Sequence, residues 1–408
     1  MTALQESPAE PPAPPVRRRW GRRTLAAVIV VLVVLAAVAA PSVVHALTRP
    51  GSDTVAARLA EWGRDHGLGP VVTWLEARQY ALHQPPTGGV PPGGIPVAAG
   101  AVAGRPGAPP ALPAPAGLSP LPGEGQWQTV VSTPRGDAVR VASVRPDAQH
   151  TSFTVGVLWM DPTLVHGVLH PGSEDPGGTW PVPAAIDGTE QRTVVAAFSA
   201  GFRLQGDSHG GWYLDGREAR PLVPGAASLV LRRDGTADVG AWGSEVGMAP
   251  DVVAVRQNLV PLVDGPDGVH GVVNPTCATG GTAEWGSTVG QAAYIDRSAF
   301  GVTATGAEVY VGGPALSVCT LGEILRSAGV VRGMELDINP AWVSGAYFHP
   351  TGRPHPDAFP LFPGEQVGAQ HYLQNSSRDF LSFDLRSIAD TAGAPPSIQH
   401  RRVNRHHT

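Results

Sequence analysis

The sequence predicts an α+β protein, in which a strand-rich domain of mixed sheets with a few helices follows a transmembrane helix, a short helical pair and a Pro/Gly-rich linker. Three observations carry that expectation. Short apolar runs between Gln126 and Ser387 are joined by Asp-Gly and Thr-Gly pairs, the chemistry of hairpin turns. One clear amphipathic helix interrupts them. Near the N-terminus lies an uncharged run long enough to cross a bilayer.

Composition sets outer limits. A chain of 408 residues has room for two domains, or one large domain with appendages. Its formal charge is −5, which argues against a nucleic-acid partner, whose phosphates need a basic surface. All 29 basic residues are arginine, so P-loop lysines, Schiff bases and Ser-Lys nucleophiles are excluded together. Hydrophobic residues make up 42% and charged ones 15%, which supports a sizeable core.

Residues 1–23 form a Pro-rich tail ending in Arg17, Arg18, Arg19, Arg22 and Arg23. Residues 24–45 follow as a signal-anchor, and the arginines before it set the N-terminus in the cytoplasm, with the rest of a single-pass cell-membrane protein outside. A cleaved signal peptide fits the same segment, because Val44-His45-Ala46 has a small-residue cleavage pattern. The apolar region exceeds the usual signal length of about 7–15 residues, which favours the anchor.

Residues 50–83 read as a helical stalk. Ser52 and Asp53 are capping candidates, and Val55, Leu59 and Trp62 share a face before Gly67. Pro70 opens a second helix with Val71, Trp74, Leu75, Arg78 and Leu82 on one stripe, expected to pack on its partner or on the main domain. Residues 84–125 hold 12 prolines and 10 glycines and read as a flexible or polyproline linker. The globular domain spans 126–390, and 391–408 is a disordered tail.

Within the domain, hairpins are expected at Asp215-Gly216, Asp234-Gly235 and Thr305-Gly306. Thr320-Leu-Gly-Glu323 reads as a capping box, with Leu321, Ile324, Leu325 and Ala328 on one stripe and Gly329 as the stop. Val330–Leu336 is then a buried strand. Cys277 and Cys319 are the only cysteines, and in an oxidising compartment they are expected to form a disulfide.

Candidate chemistry is sparse. His166 and His170 have i, i+4 spacing, but Pro162, Gly167 and Pro171 break the helix that a zinc site would need, so no metal is expected. No dinucleotide fingerprint or nucleophile elbow occurs, and no cofactor is expected. The informative segment is Met334-Glu335-Leu336-Asp337-Ile338-Asn339-Pro340. In a regular strand Glu335 and Asp337 project together, about 6.5–7 Å apart at the α-carbons. A strand after a helix places them at the usual mouth of an α/β sheet. Paired carboxylates there can divide acid and base roles, or form a solvated strand end or a salt bridge to a nearby arginine.

Three segments resemble the phosphodiester glycosidase domain family. Ser199-Ala200-Gly201-Phe202-Arg203 is similar to its early Asn-Gly-Gly-Phe-Phe turn. Arg297-Ser-Ala-Phe-Gly301, followed by a Thr-Gly turn and Val311-Gly312-Gly313, resembles its middle Arg-x-x-x-Gly. Leu336-Asp337-Ile338-Asn339-Pro340 is similar to its late Leu-Asp-Gly-Gly-Gly-Ser. The likeness implies hydrolysis of a sugar-1-phosphodiester, with Arg297 holding the phosphate and Asp337, with Glu335, doing the acid, base or nucleophile work. Ser199, Gly201, Gly301 and Asn339 would border the substrate, a sugar phosphodiester or cell-envelope glycan. Ser199 stands where the family has asparagine, and Ile-Asn-Pro replaces its glycines. Those departures fit the alternative, a non-catalytic envelope protein that binds a glycan or partner with the same fold.

Overall fold

A computed structural model describes residues 20–49, 51, 53–205, 208–286 and 293–387. Two units divide the chain, Met1–Arg49 and Pro50–Thr408. Most of the basic N-terminal tail, Ser52 and the tail 391–408 lie outside the described residues.

Among the described residues the first unit holds one helix, α1 (Trp20–Thr48), with Pro41 inside it. Its Thr24–Thr48 portion is long and apolar enough to cross a membrane, and a signal sequence has the same properties.

The second unit opens with α2 (Val55–Asp65) and α3 (Gly69–Leu82). Thr54, rather than Ser52 or Asp53, is the α2 cap, its side chain accepting from the Ala57 N–H. The faces that this pair buries differ from expectation. On α2 the buried residues are Ala57, Arg58, Glu61 and Gly63, and on α3 none is buried. The apolar stripes point outward.

Residues 84–125 contain no helix or strand, as their composition requires, yet they are laid along the sheet instead of hanging free. Leu112 and Ile95 are buried. The Ala98 N–H donates to Gln128 Oε1 at 2.9 Å, and the Arg105 N–H to Asp137 Oδ2 at 2.8 Å. Arg145 grips Glu124 at 2.8 Å. A segment that forms no regular element thus finds partners along the first sheet.

Strands are numbered in chain order and lie in three sheets. The first runs β1 (Gln128–Thr133), β2 (Gly136–Val144), β3 (Val155–Met160), β14 (Glu308–Leu316), β13 (Ile295–Thr303), β15 (Val330–Ile338), β11 (Pro261–Asp264) and β12 (Val272–Val273). The second runs β7 (Arg217–Arg220), β6 (Trp212–Leu214), β10 (Val252–Gln257), β8 (Ala227–Arg232) and β9 (Ala237–Ala241). The third runs β17 (Asp357–Pro360), β16 (Gly345–His349), β5 (Val194–Ser199), β18 (Phe380–Leu385) and β4 (Val165–His170). The paired neighbours on either side of β15 run antiparallel to it, so the α/β-sheet mouth expected from the helix–strand order is not formed. The three expected hairpins are present, with positive φ at Gly216, Gly235 and Gly306.

Phe198 on β5 stacks against Phe300, Tyr310 and Phe383 at 4.3–5.6 Å, joining the first and third sheets through one large core. A second core lies on the other face of the first sheet. There α5 (Val318–Ser327) buries Leu321 and Leu325 against Val309 and Val311. The helix starts earlier than the Thr320 box implied: Ser317 Oγ accepts from the Thr320 N–H at 3.1 Å. Gly329, at φ +86°, ends it as expected. A disulfide joins Cys277 and Cys319, tying the turn Pro275–Ala278 to the first turn of α5. The short helix α4 (Thr282–Trp285) packs nearby through Trp285.

Candidate functional site

The site grows from an irregularity in β15. A step of two positions on β13, from Arg297 to Ala299, is matched by a step of three on β15, from Ile338 back to Glu335. The extra residue is a β-bulge, which turns the strand locally. Met334 and Leu336 face the large core with Phe300, while Glu335 lies opposite Ala299 on the α5 side. After the bulge Asp337 falls on the large-core side, near Tyr310. The two carboxylates therefore do not project together, because strict alternation fails at this point.

Their environments differ accordingly. Glu335 Oε1 is 2.6 Å from Arg297 Nη1, and both side chains are at most 1% exposed. Arg297 Nε donates to the Leu316 carbonyl at 3.0 Å. Burial raises the Glu335 pKa while Arg297 opposes it. Arg297 is thus committed inside the domain, on the far side of β15 from Asp337. Gly301 is also remote: a Cβ there would lie 2.4 Å from Val330 and 2.7 Å from the Arg332 carbonyl, so it serves close strand packing.

Asp337 lines a cleft of about 150 Å³ with Phe202, Arg203, Asn339, Trp342 and Arg378, and α2 and α3 supply Arg64, Thr73 and Glu76. Its carboxyl is 3% exposed, and burial pushes its pKa up to about 7 against the opposing charges of Arg378 and Arg256. The Gly201 N–H also faces it and favours the charged form. Gly201 has φ +147°, and a Cβ there would lie 3.3 Å from Arg256 Nη2 and Asn258. Only glycine fits that turn comfortably.

Arg378, just before β18, is the organising cation. Its Nη2 lies 3.6 Å from Asp337 Oδ1 and donates to the Gly201 carbonyl at 2.9 Å. Nη1 reaches Glu61 Oε1 of α2 at 3.3 Å, and the guanidinium sits 4.9 Å from the Trp342 ring. Behind it, Arg256 and Asp379 form a fully buried pair at 2.6 Å, with Trp212 Nε1 donating to the same carboxylate. Arg256 Nη2 also donates to the Phe202 carbonyl, and Asn258 Oδ1 accepts from the Phe202 N–H. This buried network fixes the Gly201–Arg203 turn under the cleft.

Asn339 lines the cleft with φ +84°, its Oδ1 accepting from the Ala341 N–H at 2.9 Å. Ser199 lies beneath, nearly buried, beside Tyr310. Of the residues that the sequence singled out, Asp337 and Asn339 line the cleft, with Gly201 and Ser199 beneath them. Arg297, Glu335 and Gly301 do not. Arg203 stood inside the quoted turn, but its role was not read. The Ser376-Ser377-Arg378-Asp379 loop before an apolar strand was a visible signal for Arg378, and Glu61 and Arg64 carried none.

Among the described residues no cluster of three metal-binding side chains occurs. His170 is buried on β4 with Glu190 and Ser382, each 2.9 Å away, a structural network.

No family model and no curated protein matches the chain. Solved structures show distant likeness. The zebrafish N-acetylglucosamine-1-phosphodiester α-N-acetylglucosaminidase catalytic domain, auto-inhibited by its pro-peptide, has a TM-score of 0.40 and 13% identity, covering 64% of this chain and 88% of that one. A putative exported protein of Burkholderia pseudomallei K96243 has a TM-score of 0.34 and 14% identity, covering 58% and 74%. A hypothetical protein from Synechocystis has a TM-score of 0.30 and 13% identity, covering 63% and 65%. The likeness is one of fold, and a distant one.

Proposed function

We propose that this chain is a membrane-anchored hydrolase acting outside the cytoplasm on the glycosidic bond of a sugar-1-phosphodiester, such as occurs in cell-envelope glycans. One observation carries the reading: a carboxyl whose pKa is raised to about 7 sits in a cleft beside a buried guanidinium, faced by the N–H of a glycine turn. Perturbed acids in clefts are where proton transfer is performed.

In this reading Asp337 is the acid. Its proton passes to the oxygen bridging sugar C1 and phosphorus as the C1–O bond breaks, and a proton from the attacking water returns to it. The leaving phosphate monoester carries charge, which Arg378 and Arg203 meet by charge-assisted hydrogen bonds. Arg297 and Glu335 hold the sheet together instead of touching substrate, and Gly301 does likewise. Gly201, Asn339 and Ser199 border the substrate. A cleft of about 150 Å³ takes the phosphate end of such a molecule.

A second reading, a glycan- or partner-binding protein, has its own support: Arg378 and Arg203 already face the carboxylates Glu61 and Asp65 of α2. Incubating the purified full-length protein with a panel of sugar-1-phosphodiesters and scoring released sugar separates the two. Release abolished by Asp337→Asn supports the hydrolase. Saturable binding without release by the wild type supports the binding protein.

A further inference from the structure

The helical pair is inverted. On α2 the polar side faces the domain, where Glu61 meets Arg378 and Asp65 meets Arg203 at 2.6 Å; on α3 Val72, Glu76 and Tyr80 are half-buried, Tyr80 against Phe202, Leu259, Ile295 and Ile338. The apolar stripes face out. Val55, Leu59, Val71, Trp74, Leu75 and Leu82 are between 41% and 68% exposed. On α3 the outward residues 71, 74, 75, 78 and 82 form one stripe at helical spacing, with Arg78 among them. A water-facing helix keeps its apolar side inward, and an exposed apolar stripe of this length marks a surface that something covers.

Chain connectivity names the occupant. Only residues 49–54 join the end of α1 at Thr48 to Val55. Extended, such a link reaches at most about 25 Å. With α1 in a bilayer, α2 therefore starts within that distance of the membrane surface, which brings α3 within reach of it. A stripe of tryptophan, leucine and valine with one arginine, whose stem can lie along the apolar surface with its head in water, matches the lipid interface.

We infer that α3 lies in the bilayer interface with Trp74 and Leu75 among the headgroups and upper acyl chains. Its opposite face contributes Thr73 and Glu76 to the cleft wall. The cleft then opens about one helix diameter, roughly 10 Å, from the lipid. A substrate attached to the membrane, or lying against it, is the kind that such a cleft can reach. The inference rests on α1 being an uncleaved span.

The test uses the full chain in phosphatidylcholine nanodiscs, made with ordinary or brominated acyl chains, after the intact mass has been measured. Wild-type tryptophan emission should fall in bromolipid, and Trp74→Phe should remove at least half of that bromolipid-dependent loss. An equal loss in Trp74→Phe overturns the inference. Emission insensitive to bromolipid but dependent on protein concentration in detergent means that a second copy covers the stripe, which also overturns it. A mature chain whose mass begins near Leu47 overturns both this inference and the anchor, and the mass distinguishes that failure from the other two.

Discussion

Asp337 is an acid whose neutral form the fold prefers, since burial outweighs the attraction of Arg378 and Arg256. A folded pKa of about 7 against an ordinary value of 3.8 means that this residue supports stability fully below pH 4, and that the support is lost as pH rises to 7. Asp337→Asn removes the titration. Its stability in chemical denaturation should therefore gain on the wild type between pH 5 and pH 7, by an amount on the order of 2 kcal/mol; a flat difference across that range would show that the carboxyl is not desolvated. Arg297→Gln should behave differently. It strands Glu335 in the interior and should cost about 3–5 kcal/mol in chemical denaturation, whereas Arg297→Met with Glu335→Leu should recover most of the loss. Equal losses in the single and double variants would contradict a buried pair. The residue scale also shows what was legible. Asp337 and Gly201 stood out because a turn glycine and a strand-end acid are local patterns. Arg378 meets Asp337 only through the pairing of β18 with β5, which no local pattern announces.

At the scale of elements, the hairpins and α5 were readable because glycine turns and an apolar stripe are set by neighbours in sequence. The bulge in β15 was not, because it exists only against the register of β13. That one extra residue separates Glu335 from Asp337 and overturns the paired-carboxylate expectation. The helical pair misled for another reason: its stripes were real, but Glu61 and Asp65 find arginine partners on the domain, and the polar face wins the contact. The Cys277–Cys319 bond closes a separation of 42 residues at the start of α5. Replacing both with serine should lower stability by roughly 3–4 kcal/mol on the chain-entropy account. A denaturation midpoint unchanged from the oxidised protein would show that α5 docking alone holds that end of the sheet.

On the scale of the whole molecule, composition announced an apolar N-terminal helix and a strand-rich domain, and it read residues 84–125 as a flexible or polyproline linker. Proline and glycine forbid regular structure without forbidding contact, and carboxylates at Asp137 and Glu124 supply what the segment's own backbone cannot. The cleft is assembled from parts far apart in the chain: α2, the Gly201 turn, the end of β15 and the loop before β18. In the proposed hydrolase this assembly, and not the Arg297–Glu335 pair, would carry the reaction. The most direct measurement is the turnover of a sugar-1-phosphodiester cleaved by the wild type, compared in Asp337→Asn and in the Arg297→Met, Glu335→Leu double variant, with folding of each checked by melting. The account predicts a fall of about 100-fold or more in Asp337→Asn and a rate within a few-fold of wild type in the folded double variant. Near-full activity in Asp337→Asn, or its loss in the folded double variant, would contradict it.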